Sequence, residues 1–137
     1  MVDSIQEKQI ISKKLIIMEL KTENELRILI AYNDYDVFNE YFKSLEREMH
    51  NILEQITYIS GAAAQFSFYG IKYDKTSYEN EMDKLHEELN TLRDNASIFA
   101  KYLYEKQENC KHEWVDNGHD SHYTYYKCTK CGKECRE

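Results

Sequence analysis

Cys110-Lys-His112 and Cys128-Thr-Lys-Cys131, separated by fifteen residues, carry the donor types and the spacing of a metal site. Zn²⁺ asks for about four thiolate or imidazole donors at tetrahedral angles, and two close pairs across a short loop supply them. Gly132, directly after Cys131, allows a positive φ that turns amide hydrogens toward a thiolate sulfur. Between the pairs, Trp114-Val115, the turn formers Asp116-Asn117-Gly118 and the stretch from His122 to Lys127 read as a β-hairpin, the layout of a zinc ribbon. The preferred ligands are Cys110, His112, Cys128 and Cys131. Two other sets stay open: Cys135 in place of His112, or His119 and His122 joined to Cys128 and Cys131. Four protein donors leave no position for water or substrate, so one structural zinc is expected. Its binding free energy, on the order of 10 kcal/mol, then becomes folding free energy. A disulfide framework is disfavoured, because the cysteines crowd into one short segment with no signal peptide ahead of them.

Little else in the chain suggests chemistry. There is no Gly-rich phosphate loop and no Ser or Cys nucleophile in a recognisable turn, so no enzyme activity is expected. His50 and His86 fall on predicted helices without a second donor, and Glu46, Glu48, Glu87 and Glu88 have the spacing of a solvated face.

The positions of these donors depend on the elements before them. Of 137 residues 31% are charged and 42% hydrophobic, with no proline and only four glycines, which predicts a soluble, mostly α chain. Residues 1–109 read as a helical body and 110–137 as the zinc module. The module is charge-neutral, with five basic and five acidic residues, so the body carries the whole net charge of −7. An acidic body disfavours broad phosphate binding, which rests on Lys and Arg releasing counterions. Only the tip, with Lys127, Lys130, Lys133 and Arg136, is suited to approach nucleic acid. No apolar run approaches the roughly 20 residues needed to span a bilayer, and no cleavable leader is evident, so an intracellular, reducing setting is expected.

Three capping boxes punctuate the body: Ser4 to Glu7, Thr22 to Glu25 and Thr76 to Glu79. The first predicts a helix over residues 5–20, with a β-hairpin across 14–32 as the alternative, since both halves are rich in isoleucine. From Ile28 apolar residues recur at intervals of three and four: Ala31, Tyr35, Phe38, Phe42, Leu45, Met49, Ile52, Ile56 and Ile59. Such a seam predicts a long helix over about 36–69, with a break or recap at Asn33-Asp34-Tyr35-Asp36, a kink at Ser60-Gly61 and an end at Gly70. A second seam, Tyr78, Met82, Leu85, Leu89, Leu92, Ala96, Phe99 and Leu103, predicts a return helix to about Gln107. The economical arrangement is a long, coiled-coil-like antiparallel hairpin with an N-terminal helix, which returns the zinc module to the level of residues 33–38. Tyrosines 41, 58, 69, 102 and 104 lie off the seam, either as a protein contact or packed under the first helix.

Cys110-Lys-His-Glu-Trp-Val-Asp, followed by Tyr126-Lys-Cys-Thr-Lys-Cys131, resembles a small zinc ribbon that closes many short proteins of nucleocytoplasmic large DNA viruses, often after a predicted coiled coil. The likeness covers about the last 30 residues. Asn117 to His122 replaces the acidic, isoleucine-bearing stretch usual there, and Gly132 stands where an acidic residue is common. Bacteriophage ribbons ending in Cys-x-x-Cys-Gly-Lys are similar as well. The resemblance implies a small non-enzymatic viral protein in host cytoplasm or virion, acting in assembly through a protein partner or a second copy. Nucleic-acid binding through the ribbon is the alternative.

Overall fold

The computed structural model describes residues 18–137. The expected helix over residues 5–20 falls almost wholly outside that range. Within it the protein is mostly helical with a small C-terminal antiparallel sheet. Its elements are α1 (Glu23–Tyr32), α2 (Tyr35–Phe68), α3 (Lys75–Asn109), β1 (Trp114–His119), β2 (Thr124–Cys128) and β3 (Glu134–Arg136).

Thr22 starts α1 as its spacing predicts. Its hydroxyl accepts from the Glu25 amide at 3.2 Å, and the Glu25 carboxylate accepts from the Thr22 amide at 3.1 Å. This closed box draws the Glu25 carboxyl below its ordinary pKa, the Thr22 backbone hydrogen bond being the main cause. Helix over 23–32 removes the hairpin alternative, whose second strand would have occupied the same residues. Asn33 ends α1 in extended conformation and Asp34 starts α2, its carbonyl accepting from the amides of Val37 at 3.0 Å and Phe38 at 3.3 Å. The break resets the helical phase. The seam read continuously from Ile28 and Ala31 is therefore wrong for α1, where those two are exposed and Leu26 and Ile30 are buried instead.

α2 continues as helix through Ser60-Gly61 and ends at Gly70, whose φ of 67° is the left-handed value expected past a last turn. α3 is capped by Asp74, not Thr76: the Asp74 carboxylate accepts from the Ser77 amide at 3.0 Å, so Thr76 lies inside the first turn. The fully buried residues of α2, Phe38, Leu45, Ile52 and Ile59, recur every seven positions, as do Leu85, Leu92 and Phe99 of α3. Glu48 departs from its expected place in water, at 5% exposed.

The chain divides into two compact units. One contains Glu46–Arg93, where Phe66 packs on Tyr73 beside the connection, with ring centroids 5.9 Å apart. The other contains Glu19–Leu45 and Asp94–Glu137. Its core gathers Leu26, Ile30, Phe38 and Phe99, and Phe42 stacks on Phe99 at 5.0 Å. A polar triad fixes the entry to α1 here. Tyr41 Oη donates to Asn95 Oδ1 at 2.5 Å, Asn95 Nδ2 donates to the Lys21 carbonyl at 2.8 Å, and the Lys21 amide donates to Tyr41 Oη at 2.9 Å. Tyr102 reaches the same helix through Glu23 at 2.9 Å, so tyrosines 41 and 102 pack against α1 and its lead-in, while 58, 69 and 104 stay exposed. α1 has no basic residue in its last turn; Lys106 of α3 supplies the cation, its Nζ donating to the carbonyls of Ile30 and Asn33.

The sheet has the order β1-β2-β3, both pairs antiparallel, with Trp114 opposite Cys128 and Tyr126 opposite Cys135. The reversal between β1 and β2 is not at Asp116-Asn-Gly118, which lies within β1. Gly118, at φ 104°, sits where the register shifts. The turn forms one step later because the Asp120 carboxylate accepts from the Tyr125 hydroxyl at 2.6 Å and from the amides of His122 and Tyr123, each at 2.8 Å. Those bonds, with Tyr125 the largest cause, hold the carboxyl below its usual range. β3 has no counterpart in the sequence reading.

Candidate metal centre

Each donor arrives from a different local device. Cys110 follows the last turn of α3, His112 lies in the extended lead into β1, Cys128 ends β2, and Cys131 closes the tight turn after it. Gly132 makes that turn possible. Its φ is 76°, its amide donates to the Cys128 carbonyl at 2.9 Å, and the Cys128 amide returns to the Lys133 carbonyl at 2.9 Å.

The ligand atoms of Cys110, His112, Cys128 and Cys131 all lie within 4.8 Å of one another. The Cys110 and Cys128 sulfurs are 3.8 Å apart, and Cys131 Sγ is 3.3 Å from His112 Nδ1. A tetrahedral ion with metal–sulfur bonds of about 2.3 Å holds its sulfurs about 3.8 Å apart, so the spacing is that of ligands around a metal. All four cysteines are free thiols. Three sulfurs and an imidazole are soft donors, suited to a transition metal or zinc and not to calcium or magnesium. The remaining candidates sit elsewhere: Cys135 on β3, His119 at the end of β1 opposite Thr124, and His122 in the exposed turn.

The thiols are not equivalent. Burial, reinforced by hydrogen bonding to Cys131 and Cys128, pushes the Cys110 thiol up to about 12. Burial also acts to raise Cys128, but the backbone amides of Cys131, Glu113 and Lys130, together with His112, prevail and bring it down to about 6. The Glu113 amide is 3.3 Å from the Cys128 sulfur. Such amide-to-sulfur bonds stabilise a thiolate and are the usual outer support of cysteine-bound metals. The His112 ring lies against Trp114, with centroids 4.7 Å apart.

The turn is also tied to the helices, at the predicted level. The first amide of α2, on Tyr35, donates to the Thr129 carbonyl at 3.1 Å, and Gln107 Nε2 donates to the Cys131 carbonyl at 3.2 Å. Lys127 Nζ lies 4.0 Å from the Tyr35 ring centroid, and a Cβ on Gly132 would come within 2.1 Å of that ring. Tyr35 and Gln107 carry no metal-site signature in sequence; only the pairing of helix ends brings them here. Two of the four basic residues read as nucleic-acid contacts are engaged: Lys127 with Tyr35 and Glu134, and Arg136 over the Tyr123 ring at 4.3 Å. Lys130 and Lys133 are exposed.

Fold and site together define a helical protein ending in a three-stranded sheet with a Cys₃His cluster that could hold a metal ion. The chain matches no protein-family model, no curated protein and no solved structure. No helix among the described residues is long and apolar enough to cross a membrane.

Proposed function

We propose that the chain is a non-enzymatic interaction protein in which one structural zinc ion fixes the C-terminal sheet onto the base of the helical body. The observation that carries this reading is the convergence of three thiols and one imidazole at tetrahedral spacing. Four protein donors fill a zinc shell, so the ion supplies folding free energy and not a reactive position.

Support for a docking role comes from exposed aromatic side chains on both units, among them Tyr32, Tyr58, Phe68 and Tyr104. Aromatic surface of this kind is enriched where proteins meet. The seven-residue recurrence of fully buried positions suits a coiled-coil-like body. The likeness of the tail motif to viral ribbons supports a place in a particle or assembly complex. Metal analysis of protein purified without chelator is expected to give one zinc per chain, and light scattering on the eluted peak to give a multimer or a complex. A metal-free protein, or a lone monomer without a partner, would overturn the proposal.

A further inference from the structure

A cleft of about 660 Å³ opens beside the metal turn, walled by the C-terminal half of α1, the last turns of α3 and the segment around Lys130. All of its lining residues belong to one compact unit, and its volume lies within the range of ligand sites. Its electrostatics run against the rest of the molecule. Arg27, Lys106, Lys111 and Lys130 face it with only Asp34 and Glu105 in opposition, in a chain of net charge −7. A zinc-loaded Cys₃His cluster carries a charge of about −1, which leaves the cleft cationic.

Lys106 is committed to the carbonyls that end α1. Among the described residues Arg27 makes one side-chain hydrogen bond, to Asn24 Oδ1 at 2.7 Å, and Lys111 and Lys130 are exposed. Tyr32, 79% exposed, and Tyr102 both line the cleft, so an aromatic face is open to a ligand there. Several unspent cations around a trough with an exposed ring suit a chain of phosphates carrying bases that stack.

We infer that this cleft binds single-stranded nucleic acid, with Arg27, Lys111 and Lys130 against consecutive phosphates and Tyr32 stacked on a base. Of these three only Lys130 is among the residues that a reading of the ribbon alone selects; Arg27 and Lys111 are added by the cleft. Arg27 comes from α1, Lys111 from between Cys110 and His112, and Lys130 from between Cys128 and Cys131, so only the fold brings the three together.

The test is fluorescence anisotropy of zinc-loaded full-length protein with labelled twelve-nucleotide thymidine and uridine oligomers at 50 mM salt. Saturable binding is expected, with log K falling with log salt at a slope of about −2 for three phosphate contacts. K111E/K130E should weaken binding at least about tenfold, and R27E, which lies away from the metal loop, should do the same if the double variant loses zinc. Y32S should weaken binding without changing the salt slope. K72E/K75E, on the other unit, should bind as the parent does. Absence of binding at 50 mM salt, undiminished binding by R27E and K111E/K130E, or equally potent displacement by polyglutamate would overturn the inference, the last by marking an acidic-peptide site. Zinc content measured on the same samples separates this outcome from failure of the metal proposal.

Discussion

At the level of single residues, the metal site divides its cysteines sharply. Cys128 and Cys131 are fully buried with their sulfurs in the cluster, whereas Cys135 lies on β3 outside it. Cys128→Ser and Cys131→Ser are therefore expected to abolish stoichiometric zinc, and Cys135→Ser to retain it, measured by elemental analysis. Protonation follows from the opposed thiol shifts. At pH 7 the metal-free Cys110 thiol, near 12, is protonated, while Cys128, near 6, is already mostly thiolate. Zinc must displace the Cys110 proton, so calorimetry in buffers of different ionisation enthalpy should show at least about one proton released per ion. As pH falls through about 6, Cys128 gains a proton too, and metal retention should fall more steeply below that point. Gly132→Ala meets two penalties: a left-handed φ costs about 1–2 kcal/mol for an L side chain, and its Cβ would strike the Tyr35 ring. Thermal melts should show a clear loss, and Gly132→Ala should cost less in a Tyr35→Ala background than in the parent, because there only its backbone cost remains.

Among the elements, α1 illustrates what sequence does and does not reveal. Its start was legible because a capping box is a purely local device, closed between residues three apart. Its buried face was not, because the break at Asn33-Asp34 shifts the phase, and the partners Phe38 and Phe99 come from other helices. Asp74 shows a related limit: two nearby capping signals compete, and the acid two residues earlier forms the cap. β3 is three residues long, too short for any period, and exists because β2 offers it an edge. The four members of the Cys/His cluster were legible for the opposite reason, since their chemistry is rare and their spacing short. The polar triad around Asn95 needs three distant groups and left no local trace. Asn95→Ala should leave the Tyr41 hydroxyl and the Lys21 carbonyl short of partners and cost about 1–3 kcal/mol, read from denaturant midpoints. Lys106→Met removes the ammonium both from the carbonyls at the end of α1 and from its place over the Phe38 ring; about 1–3 kcal/mol is expected there as well.

For the whole molecule, the sheet with its Cys/His cluster and residues 19–45 and 94–109 of the helices belong to one unit, while residues 46–93 belong to another. Chelation should therefore lower the first thermal transition and erase the near-ultraviolet signal of Trp114, which packs on His112, while much of the helical signal persists. A single cooperative collapse of all helix on chelation would contradict that division.

The hydrogen bond from the Tyr35 amide to Thr129 has a practical corollary. A proton on the opening turn of a helix is sheltered by a carbonyl from the turn between Cys128 and Cys131, which the proposed ion would hold in place without touching Tyr35. Its exchange with deuterated solvent becomes an intrinsic gauge of ion occupancy: slow in the loaded protein, fast once the ion departs, and readable without any label.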